Sequence, residues 1–423
     1  MQYQAPRGTV DILPEDQVYW DRVKAAARVV TQQFGYRQID TPTFEDAGLF
    51  VRGVGEGTDI VEKEMYTFED RGGSLITLRP EGTASVCRAY LQHGMHALPQ
   101  PVRLFYITPI FRYERPQAGR FRQHWQFGCE AIGDPDPVVD AETIQLAWAY
   151  FGELGFSDLT LYVNSIGSRQ GREKYLERLV DFYNPKMDSI CNDCRVRLKK
   201  NPLRLLDCKQ ESCQPFIEDA PHVTDYLDAD SQEHFDDVRR YLELSEIPFT
   251  LNHRLVRGLD YYAHTVFEIF PKQEGSQSAM AGGGRYDGLI EQIGGNSVPA
   301  VGFGSGIERA VLELKQQENP DTYSEQIDAF IAYLGSPAKN AAVWLLGALR
   351  KHNVSAQIAT GSRSLRAQLR TANQINARFA IIIGDDELSG SQIDEVKPVV
   401  RDLASGEQNS MTVEALIQRI SMK

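Results

Sequence analysis

The residues best suited to chemistry lie between positions 111 and 130, where arginines are interspersed with acids and glycines. Guanidinium groups form paired hydrogen bonds with phosphate oxygens, so a group of arginines favours a phosphate-binding site. Glu114 is the one acidic residue among these arginines, so nearby acids do not balance their positive charge. The group consists of Arg112, Arg115, Arg120 and Arg122.

The second half of this stretch carries an acid of a different kind. Strand side chains alternate between the two faces of a sheet, so Gln126, Gly128 and Glu130 share one face if residues 121–132 are extended. The glycine then leaves an open slot between an amide and a carboxylate. Arginines at one end and an acid at the other suit a nucleotide together with a small cationic or donor-rich ligand. A solvated hairpin with a charged tip is the alternative that these residues alone leave open.

A long antiparallel hairpin is the element that would position these side chains. Residues 102–107 are β-branched and aromatic, as strands are, and Pro116 and Gly119 indicate a loop before the second strand. A second hairpin is predicted at 66–78. The strand that ends it passes into a helix, where Glu81 and Thr83 could hold an ammonium group or cap the helix.

Length and composition limit the class of protein. A chain of 423 residues with 42% hydrophobic and 24% charged residues is expected to form two or three globular domains. The net charge of −13, from 45 basic and 58 acidic residues, argues against indiscriminate nucleic-acid binding but allows a structured RNA partner. The sequence has no secretory pattern and no apolar run of membrane-spanning length. Six cysteines in a chain this long predict a reducing cytoplasm.

The rest of the chain predicts three further regions. Residues 168–243 are more charged and helical, which indicates a module inserted into a catalytic domain of residues 1–325. After a linker at 316–322, strands and helices alternate, which predicts a separate α/β domain at 326–423. The helices of that domain carry basic residues, for which a solvated face is the simpler interpretation.

A glycine-rich segment at 302–306 invites comparison with dinucleotide-binding folds, and we reject that interpretation. The spacing is Gly-x-Gly-x-Gly, whereas the dinucleotide motif is Gly-x-Gly-x-x-Gly. The preceding strands form hairpins and are therefore antiparallel, while the dinucleotide fold requires a parallel sheet.

Five segments, taken in order, resemble the histidyl-tRNA synthetases of class II. Residues 34–45, with Pro42, resemble the dimer-interface motif, and residues 111–130 and 302–309 resemble the second and third class motifs. Residues 257–262 and 283–288 resemble segments peculiar to the histidine enzymes. The resemblance covers essentially the whole chain. It implies an α+β catalytic domain on an antiparallel sheet with a helical insertion, followed by a C-terminal α/β anticodon-binding domain.

The resemblance also implies a reaction. ATP and L-histidine would form histidyl-adenylate and pyrophosphate, and histidine would then pass to histidine tRNA with release of AMP. ATP is a substrate, Mg²⁺ would bridge its phosphates, and the enzyme would be a cytoplasmic homodimer. Two alternatives remain open: a catalytically inactive paralogue that serves as a regulatory subunit of ATP phosphoribosyltransferase, and another ligase on the same core.

The site residues follow from the resemblance and the chemistry. The histidine carboxylate is itself the nucleophile, so catalysis depends on alignment and on neutralising phosphate charge, and Arg112 and Arg257 are expected to be catalytic. Asp260 is taken as structural. Histidine binding is expected from Glu81, Gly82, Thr83, Arg112, Gln126, Glu130, Arg257, Tyr261 and Tyr262. ATP binding is expected from Arg112, Glu114, Arg120, Phe121 and Arg309, and contact with the tRNA acceptor end from Arg115, Gln117 and Arg122.

Four cysteines of the insertion raise the question of a metal. Cys191-x2-Cys194 followed by Cys208-x4-Cys213 loosely resembles a zinc site. The second pair has unusual spacing, and the family does not need zinc for its chemistry. Reduced free thiols are therefore the preferred interpretation, and no metal ligand is assigned.

Overall fold

The structure is a computed structural model that describes residues 3–55, 58, 60–115, 120–272, 279–317, 326–388 and 396–421. The chain divides into two compact units, residues 1–318 and residues 319–423. Within the described part of the chain, no helix is both long and apolar enough to cross a membrane.

The first unit contains eleven strands in its described residues, eight of them in one sheet and three in a smaller one. The large sheet has the order β1-β5-β6-β11-β10-β9-β7-β8, and the small sheet has the order β2-β4-β3. The strands are β1 (Arg37–Gln38), β2 (Phe44–Asp46), β3 (Tyr66–Glu69), β4 (Leu75–Leu78), β5 (Val102–Phe111), β6 (Gln123–Ile132), β7 (Leu159–Ser165), β8 (Thr250–Leu251), β9 (Ala263–Pro271), β10 (Ala281–Arg285) and β11 (Ala300–Gly306).

Antiparallel pairing dominates the large sheet, as predicted. Only the two outer strands, β1 and β8, pair in parallel with their neighbours. The predicted long hairpin is confirmed: β5 and β6 pair from Val102 opposite Ile132 to Phe111 opposite Gln123. The predicted hairpin at 66–78 is β3 and β4. Both short strands that flank Pro42 lie at sheet edges, where a proline removes no ladder hydrogen bond.

Helices cover the sheet. In α4, Pro137 occupies the first turn and the Asp136 carboxylate accepts from the Val138 N–H, which fixes the start of the helix. A single-turn π-helix lies at Ile60–Glu64 and a 3₁₀ turn at Met95–Ala97. The α-helices of this unit are α1 (Pro14–Gln33), α2 (Ala47–Val54), α3 (Thr83–Gln92), α4 (Pro137–Glu153), α5 (Glu173–Tyr183), α6 (Asn192–Lys200), α7 (Gln214–Glu218), α8 (Ala229–Leu244), α9 (Leu289–Gln292) and α10 (Ile307–Gln317).

Strand β6 shows how the sheet separates its core from the face that carries the polar residues. Phe127, Cys129 and Ala131 point to one face, where they pack into a core with residues of α1, α4, α8 and α10. The alternate residues, Gly128 and Glu130, therefore point to the opposite face.

The segment 166–249 is helical, as predicted, and contains no strand. Helices α5, α6 and α7 belong to a second apolar cluster, which also contains residues of the large sheet and of α3. The segment includes 3₁₀ turns at Asn184–Lys186, Pro202–Leu205, Glu211–Cys213 and Val223–Tyr226. Helix α8 differs, because its Phe235, Val238 and Leu242 belong to the core beneath the large sheet.

The second unit has a five-stranded sheet of order β13-β12-β14-β15-β16. The predicted alternation is present from 327 to 383, whereas the two antiparallel strands and the helix that follow were not predicted. Its elements are β12 (Ile327–Tyr333), α11 (Ser336–Lys351), β13 (Ala356–Ile358), α12 (Leu365–Gln374), β14 (Ala377–Ile383), β15 (Val399–Asp402), β16 (Gln408–Ser410) and α13 (Val413–Ser421).

Candidate active site

Glu130 is the centre of a buried polar cluster on the large sheet. Its side chain is 1% exposed. Oε1 accepts from the Thr83 hydroxyl at 2.8 Å and from the Tyr106 hydroxyl at 3.3 Å, and Oε2 accepts from the Tyr286 hydroxyl at 2.5 Å. Three protein hydroxyls, from Thr83, Tyr106 and Tyr286, thus donate to this carboxylate.

Burial controls the protonation of Glu130. Loss of hydration raises its pKa to about 8, the Glu81 carboxylate acts in the same direction, and the hydroxyl donors only partly oppose this. The protein thus holds an acid of unusually high pKa beside neutral donors rather than beside a cation.

The slot predicted at Gly128 is filled by a ring that the sequence analysis did not assign. Tyr106 lies opposite Gly128 in the β5–β6 ladder. A Cβ atom at Gly128 would come within 2.3 Å of the Tyr106 ring, and a Cβ atom at Gly82 would also come within 2.3 Å of it. The two glycines therefore let the Tyr106 ring pass between them to reach Glu130. This corrects the prediction of an open space between Gln126 and Glu130.

Glu81 lies at the start of α3 and is 3% exposed. Its carboxylate accepts from the Thr83 N–H at 2.8 Å and from the Ala84 N–H at 2.7 Å, so it caps the helix. Burial raises the pKa of Glu81, and Arg112 opposes that rise. Helix capping, one of the two predicted roles, is thus the one present here, and it fixes a second carboxyl near Glu130.

Gln126 has a free acceptor in this cluster. Among the described residues, no group donates to its buried Oε1 atom. A buried acceptor without a donor is costly, and ligand-binding positions are a common place for one. The prediction that Gln126 takes part in binding an ammonium group is consistent with this observation.

Glycines of β10 and β11 form the floor on which these side chains lie. A Cβ at Gly302 would come within 1.9 Å of Glu130 Oε2, and one at Gly304 within 2.0 Å of Gln126 Nε2. A Cβ at Gly282 would come within 2.5 Å of Arg257 Nη1. The glycine segments thus leave room for protein side chains, a role that the sequence analysis had not assigned to them.

Arg257 and two tyrosines close one side of the cluster. Arg257 is paired with Glu268, and its guanidinium lies 5.6 Å from the Tyr262 ring centre. Burial alone would lower the pKa of Arg257, but Glu268 and Tyr262 raise it overall. The Tyr261 ring packs at 4.7 Å from Tyr262 and 5.7 Å from Tyr286. Asp260, predicted to be structural, accepts from the Asn201 amide at 2.6 Å.

The arginines predicted to bind phosphate surround Glu114. Arg112 donates to the Pro80 carbonyl at 2.7 Å and lies 3.8 Å from Glu114, while Arg120 lies 3.6 Å from the other oxygen of the same carboxylate. Arg122 covers the Tyr113 ring at 3.7 Å, whereas Arg115 is exposed. Gln117 lies outside the described residues.

Arg309 and Phe121 complete the predicted nucleotide end. Burial and the nearby Arg120 lower the pKa of Arg309, and Glu114 opposes this. Phe121 is half-buried just before β6, and stacking of adenine between it and Arg309 stays a prediction. The neighbouring Glu308 is buried and accepts from the Trp125 N–H at 2.8 Å, so it is a structural anchor.

The remaining polar residues of the 283–288 segment hold the fold together. Arg285 and Asp140 form an ion pair in which each side chain is 1% exposed. His234 lies 3.3 Å from the same carboxylate, and Arg285 also donates to the Asp134 carbonyl at 3.1 Å. Arg285 therefore fastens the start of α4 to β10.

Comparison with known families identifies this arrangement. The family model described as histidyl-tRNA synthetase matches residues 8–171 and 197–310, and that of an anticodon-binding domain matches residues 328–423. The chain belongs to the histidyl-tRNA synthetase family.

Full-length relatives of the histidyl-tRNA synthetase family are close in sequence. The chain is 51% identical over 418 residues to a histidine–tRNA ligase of Dehalococcoides mccartyi, with 99% of each chain covered. It is 48% identical over 415 residues to that of Desulforudis audaxviator, covering 98% of this chain and 97% of the relative. The apo histidyl-tRNA synthetase of S. aureus has a similar structure, with a TM-score of 0.82, 37% identity, and 99% and 100% coverage.

Three residues of this histidyl-tRNA synthetase site were missed from the sequence. Tyr106 could have been found, because the predicted hairpin register places it opposite Gly128. Tyr286 and His124 carried no such signal. Burial and the charges of Arg112 and Arg309 lower the pKa of His124 to about 3, so it is a neutral imidazole between the arginines.

Proposed function

We propose that this chain attaches L-histidine to histidine tRNA in two steps, forming histidyl-adenylate and pyrophosphate from ATP and then releasing AMP. The observation that carries the proposal is the arrangement on one sheet face, in a chain of this family. A buried carboxyl with three hydroxyl partners lies in the same unit as a set of arginines around Glu114.

Histidine would bind at the buried end. A neutral imidazole offers one N–H donor and one acceptor, and Glu130 with its hydroxyl neighbours can satisfy both. The α-ammonium group would lie at Gln126, whose Oε1 has no donor among the described residues, with Glu81 and Thr83 nearby. Tyr261 and Tyr262 would cover the ring.

ATP would bind at the arginine end. The histidine carboxylate attacks the α-phosphorus, and pyrophosphate leaves with its bonding electrons, so negative charge has to be neutralised on both sides of that atom. Arg112 and Arg257 would contact the α-phosphate, and Arg120 the terminal phosphates. Glu114 would accept from the adenine amino group, with Phe121 and Arg309 stacking on the base.

Mg²⁺ would enter bound to the ATP phosphates. Its preferred ligands are oxygens. In the described part of the chain, the one group of three or more potential metal ligands is made of cysteines, and Glu114 and Glu268 are already paired with arginines. The protein would contribute positive charge and alignment through its arginines, and the ATP phosphates would offer oxygen ligands to Mg²⁺.

The second candidate, a regulatory subunit of ATP phosphoribosyltransferase, is not favoured. A regulatory paralogue has no need for the arginine set or for the buried Glu130 cluster, and both are present. The curated relatives, 45–51% identical over essentially the full chain, are histidine–tRNA ligases.

We also propose a cytoplasmic homodimer in which the small sheet contributes to the interface. Three of its side chains are unusually exposed for their size: Phe44 at 56%, Phe68 at 47% and Leu75 at 57%. Apolar surface of this kind favours association. Sedimentation at a monomeric mass across micromolar concentrations would exclude the dimer.

We propose two contacts with the tRNA. Its acceptor end would contact Arg115, Gln117 and Arg122, and its anticodon would contact the C-terminal unit.

Histidine-dependent ATP–pyrophosphate exchange tests the function. Exchange should require histidine among all the amino acids, and the same protein should charge histidine tRNA. A protein that binds ATP but shows no exchange with any amino acid would favour the regulatory candidate instead.

A truncated chain tests the division of labour between the proposed domains, 1–325 with its insertion at 168–243, and 326–423. A fragment of residues 1–324 should keep histidine-dependent exchange if it still dimerises, since the proposed reacting groups lie before residue 310. It should lose most tRNA charging, because the matched anticodon-binding segment begins at residue 328. Undiminished charging by the fragment would exclude an anticodon role for the C-terminal unit.

A further inference from the structure

Four of the six cysteines meet in the helical insertion, away from the Glu130 cluster. The sulfur atoms of Cys191, Cys194, Cys208 and Cys213 all lie within 4.8 Å of one another. We propose that these four thiolates bind one structural zinc ion, and that this ion fixes a loop that positions the segment carrying Arg257. The first two cysteines fall in residues 172–196, which the family model does not match.

The spacing of the sulfurs fits a single ion. Zinc holds thiolates at about 2.3 Å, so the corners of a tetrahedral four-sulfur site lie about 3.8 Å apart. Cys191 Sγ lies 3.8 Å from Cys208 Sγ, and Cys194 Sγ lies 3.9 Å from Cys213 Sγ. These distances are far longer than a disulfide bond of about 2.05 Å. An iron–sulfur cluster, which is larger than one ion, would hold its cysteines farther apart.

Backbone N–H groups already point at the sulfurs. The Cys191 N–H donates to Cys213 Sγ at 3.3 Å, and the Cys194 N–H donates to Cys191 Sγ at 3.4 Å. Hydrogen bonds to ligand atoms orient them and stabilise the thiolate form that zinc requires. The cluster therefore has both the ligands of a zinc site and donors around them.

Local structure removes the objection raised by the spacing of the second pair. Between Cys208 and Cys213 the chain makes a 3₁₀ turn at Glu211–Cys213, and the Gln214 amide donates to the Cys208 carbonyl at 2.6 Å. This turn brings the two sulfurs together despite four intervening residues. The first pair lies at the start of α6, where Cys191 is the N-cap residue.

The part of the chain between Cys194 and Cys208 contacts residues 257–262, the segment that carries Arg257. Lys200 pairs with Glu62 at 2.8 Å, and Asn201 donates to Asp260 at 2.6 Å, three residues from Arg257. A zinc ion that fixes this loop would therefore fix the surroundings of Arg257. This coupling rests on the proposed function, whereas the metal site does not.

Metal analysis of the full chain tests the site independently of activity. Protein from a zinc-supplemented culture, purified without chelators, should contain one zinc per chain, released when a mercurial reagent modifies the thiols. Cobalt replacing it should give thiolate charge-transfer bands. Absence of zinc would overturn the site. It would do so if all six thiols react with a thiol reagent, and equally if only two react because the other four have formed disulfides.

A matched pair of variants locates the metal. Cys208→Ser should lose zinc, and Cys129→Ala, a change at a buried cysteine of the catalytic sheet, should retain it. Zinc retained in full by Cys208→Ser would overturn the assignment. If that variant does not fold, the cobalt spectrum of the unmodified chain decides the question.

The coupling to Arg257 has its own readout. Chelator-stripped protein that keeps its dimer mass should exchange pyrophosphate about tenfold more slowly, because small misplacement of a reacting group is costly. Added zinc should restore the rate. Zinc-loaded protein with no exchange at all would count against the proposed function, while stripped protein with full exchange would overturn the coupling alone.

Discussion

The two ends of the site stabilise their polar groups in opposite ways. At the proposed histidine end, Glu130 is 1% exposed and its three partners are uncharged hydroxyls. At the proposed phosphate end, Arg120 is 44% exposed and the guanidinium groups face the carboxylates Glu114 and Glu268. The first end is built around a neutral cluster, and the second around paired charges.

This difference separates specificity from catalysis. A buried carboxyl among hydroxyls discriminates between ligands, because an amino acid without the matching N–H leaves a buried group unpaired. Arginines paired with carboxylates are already oriented, and phosphate oxygens can replace those carboxylates when ATP binds. Variants at the phosphate end should therefore slow adenylate formation, and variants at the histidine end should mainly change KM or kcat/KM for histidine.

The largest effect is expected for Arg257→Ala. Loss of a charge at the α-phosphate removes transition-state stabilisation, so adenylate formation should fall about 10³-fold while histidine binding changes little. The rate of adenylate formation, measured before the steady state at saturating histidine and ATP, tests the first expectation. The dependence of that rate on histidine concentration tests the second.

Two controls accompany Arg257→Ala. Arg254→Ala removes a nearby arginine whose ion pair with Glu218 is exposed, and it should leave exchange unchanged. Arg257→Lys keeps the charge without the fork and should fall between wild type and alanine. Equal losses in histidine binding and rate would mean that Arg257 belongs to the histidine end.

Glu130→Gln should show the opposite pattern. Glutamine keeps the shape and one acceptor oxygen but replaces the second oxygen, which can accept or donate, with an amide that only donates, so kcat/KM for histidine should fall by about 10²- to 10³-fold. ATP binding should hardly change, since the nucleotide residues lie at the other end. Exchange as a function of histidine at saturating ATP is the measurement. Near wild-type efficiency would make Glu130 a structural residue of the hairpin.

Gly302→Ala should disturb the histidine end without changing any polar group. Its Cβ would come within 1.9 Å of Glu130 Oε2 and 2.5 Å of the Cys129 carbonyl, so the carboxyl has to move. A KM for histidine raised about tenfold is expected. Gly288→Ala is the control, because it has an ordinary φ of −87° and no atom within 4 Å of the added Cβ. Identical effects of the two changes would refute the role of the glycine floor.

The last expected effect is on stability, where Glu130→Gln should gain relative to wild type as pH rises although it loses activity. The pKa of Glu130 is about 8, against about 4.3 for ordinary glutamate. Between these values the folded protein binds more protons than the unfolded chain, so the contribution of Glu130 to stability falls as pH rises. Glu130→Gln does not titrate there. Its stability relative to wild type should therefore increase from pH 5 to pH 8, by at most about 4 kcal/mol. Denaturant unfolding at the two pH values should reveal the trend, and a constant difference would contradict it.

Local pattern predicted the scaffold of the site better than its interior. Alternation along residues 121–132 correctly placed Gln126, Gly128 and Glu130 on one face, and strand–loop–strand chemistry predicted the β5–β6 hairpin. The helix at Thr83 followed from the strand that ends before it. These features depend on neighbours in sequence, which periodicity captures.

The interior depends on contacts between distant segments. Tyr286 donates to Glu130, which lies 156 positions earlier in the chain, and no local pattern predicts that hydrogen bond. The glycines of β11 were compared with a dinucleotide motif and then with a class motif, whereas their neighbours are side chains of β6. The C-terminal strands β15 and β16 have only four and three residues, and β16 is polar throughout, so their pattern was too weak to be recognised.

The placement of the helical insertion has a consequence for how such a chain can change over evolutionary time. The chain leaves the large sheet after Ser165, at the end of β7, and returns to it with β8, which pairs in parallel with the same strand. An insertion that leaves the sheet from one strand and returns beside the same strand can change in length without shifting any strand register. Helix α8 packs into the core beneath the large sheet, and α5 to α7 belong to a second apolar cluster that also contains Tyr106, Val266 and Tyr286. Lineages can therefore change the length and outer surface of the insertion without shifting the sheet, while the faces of its helices that pack on the catalytic unit are constrained.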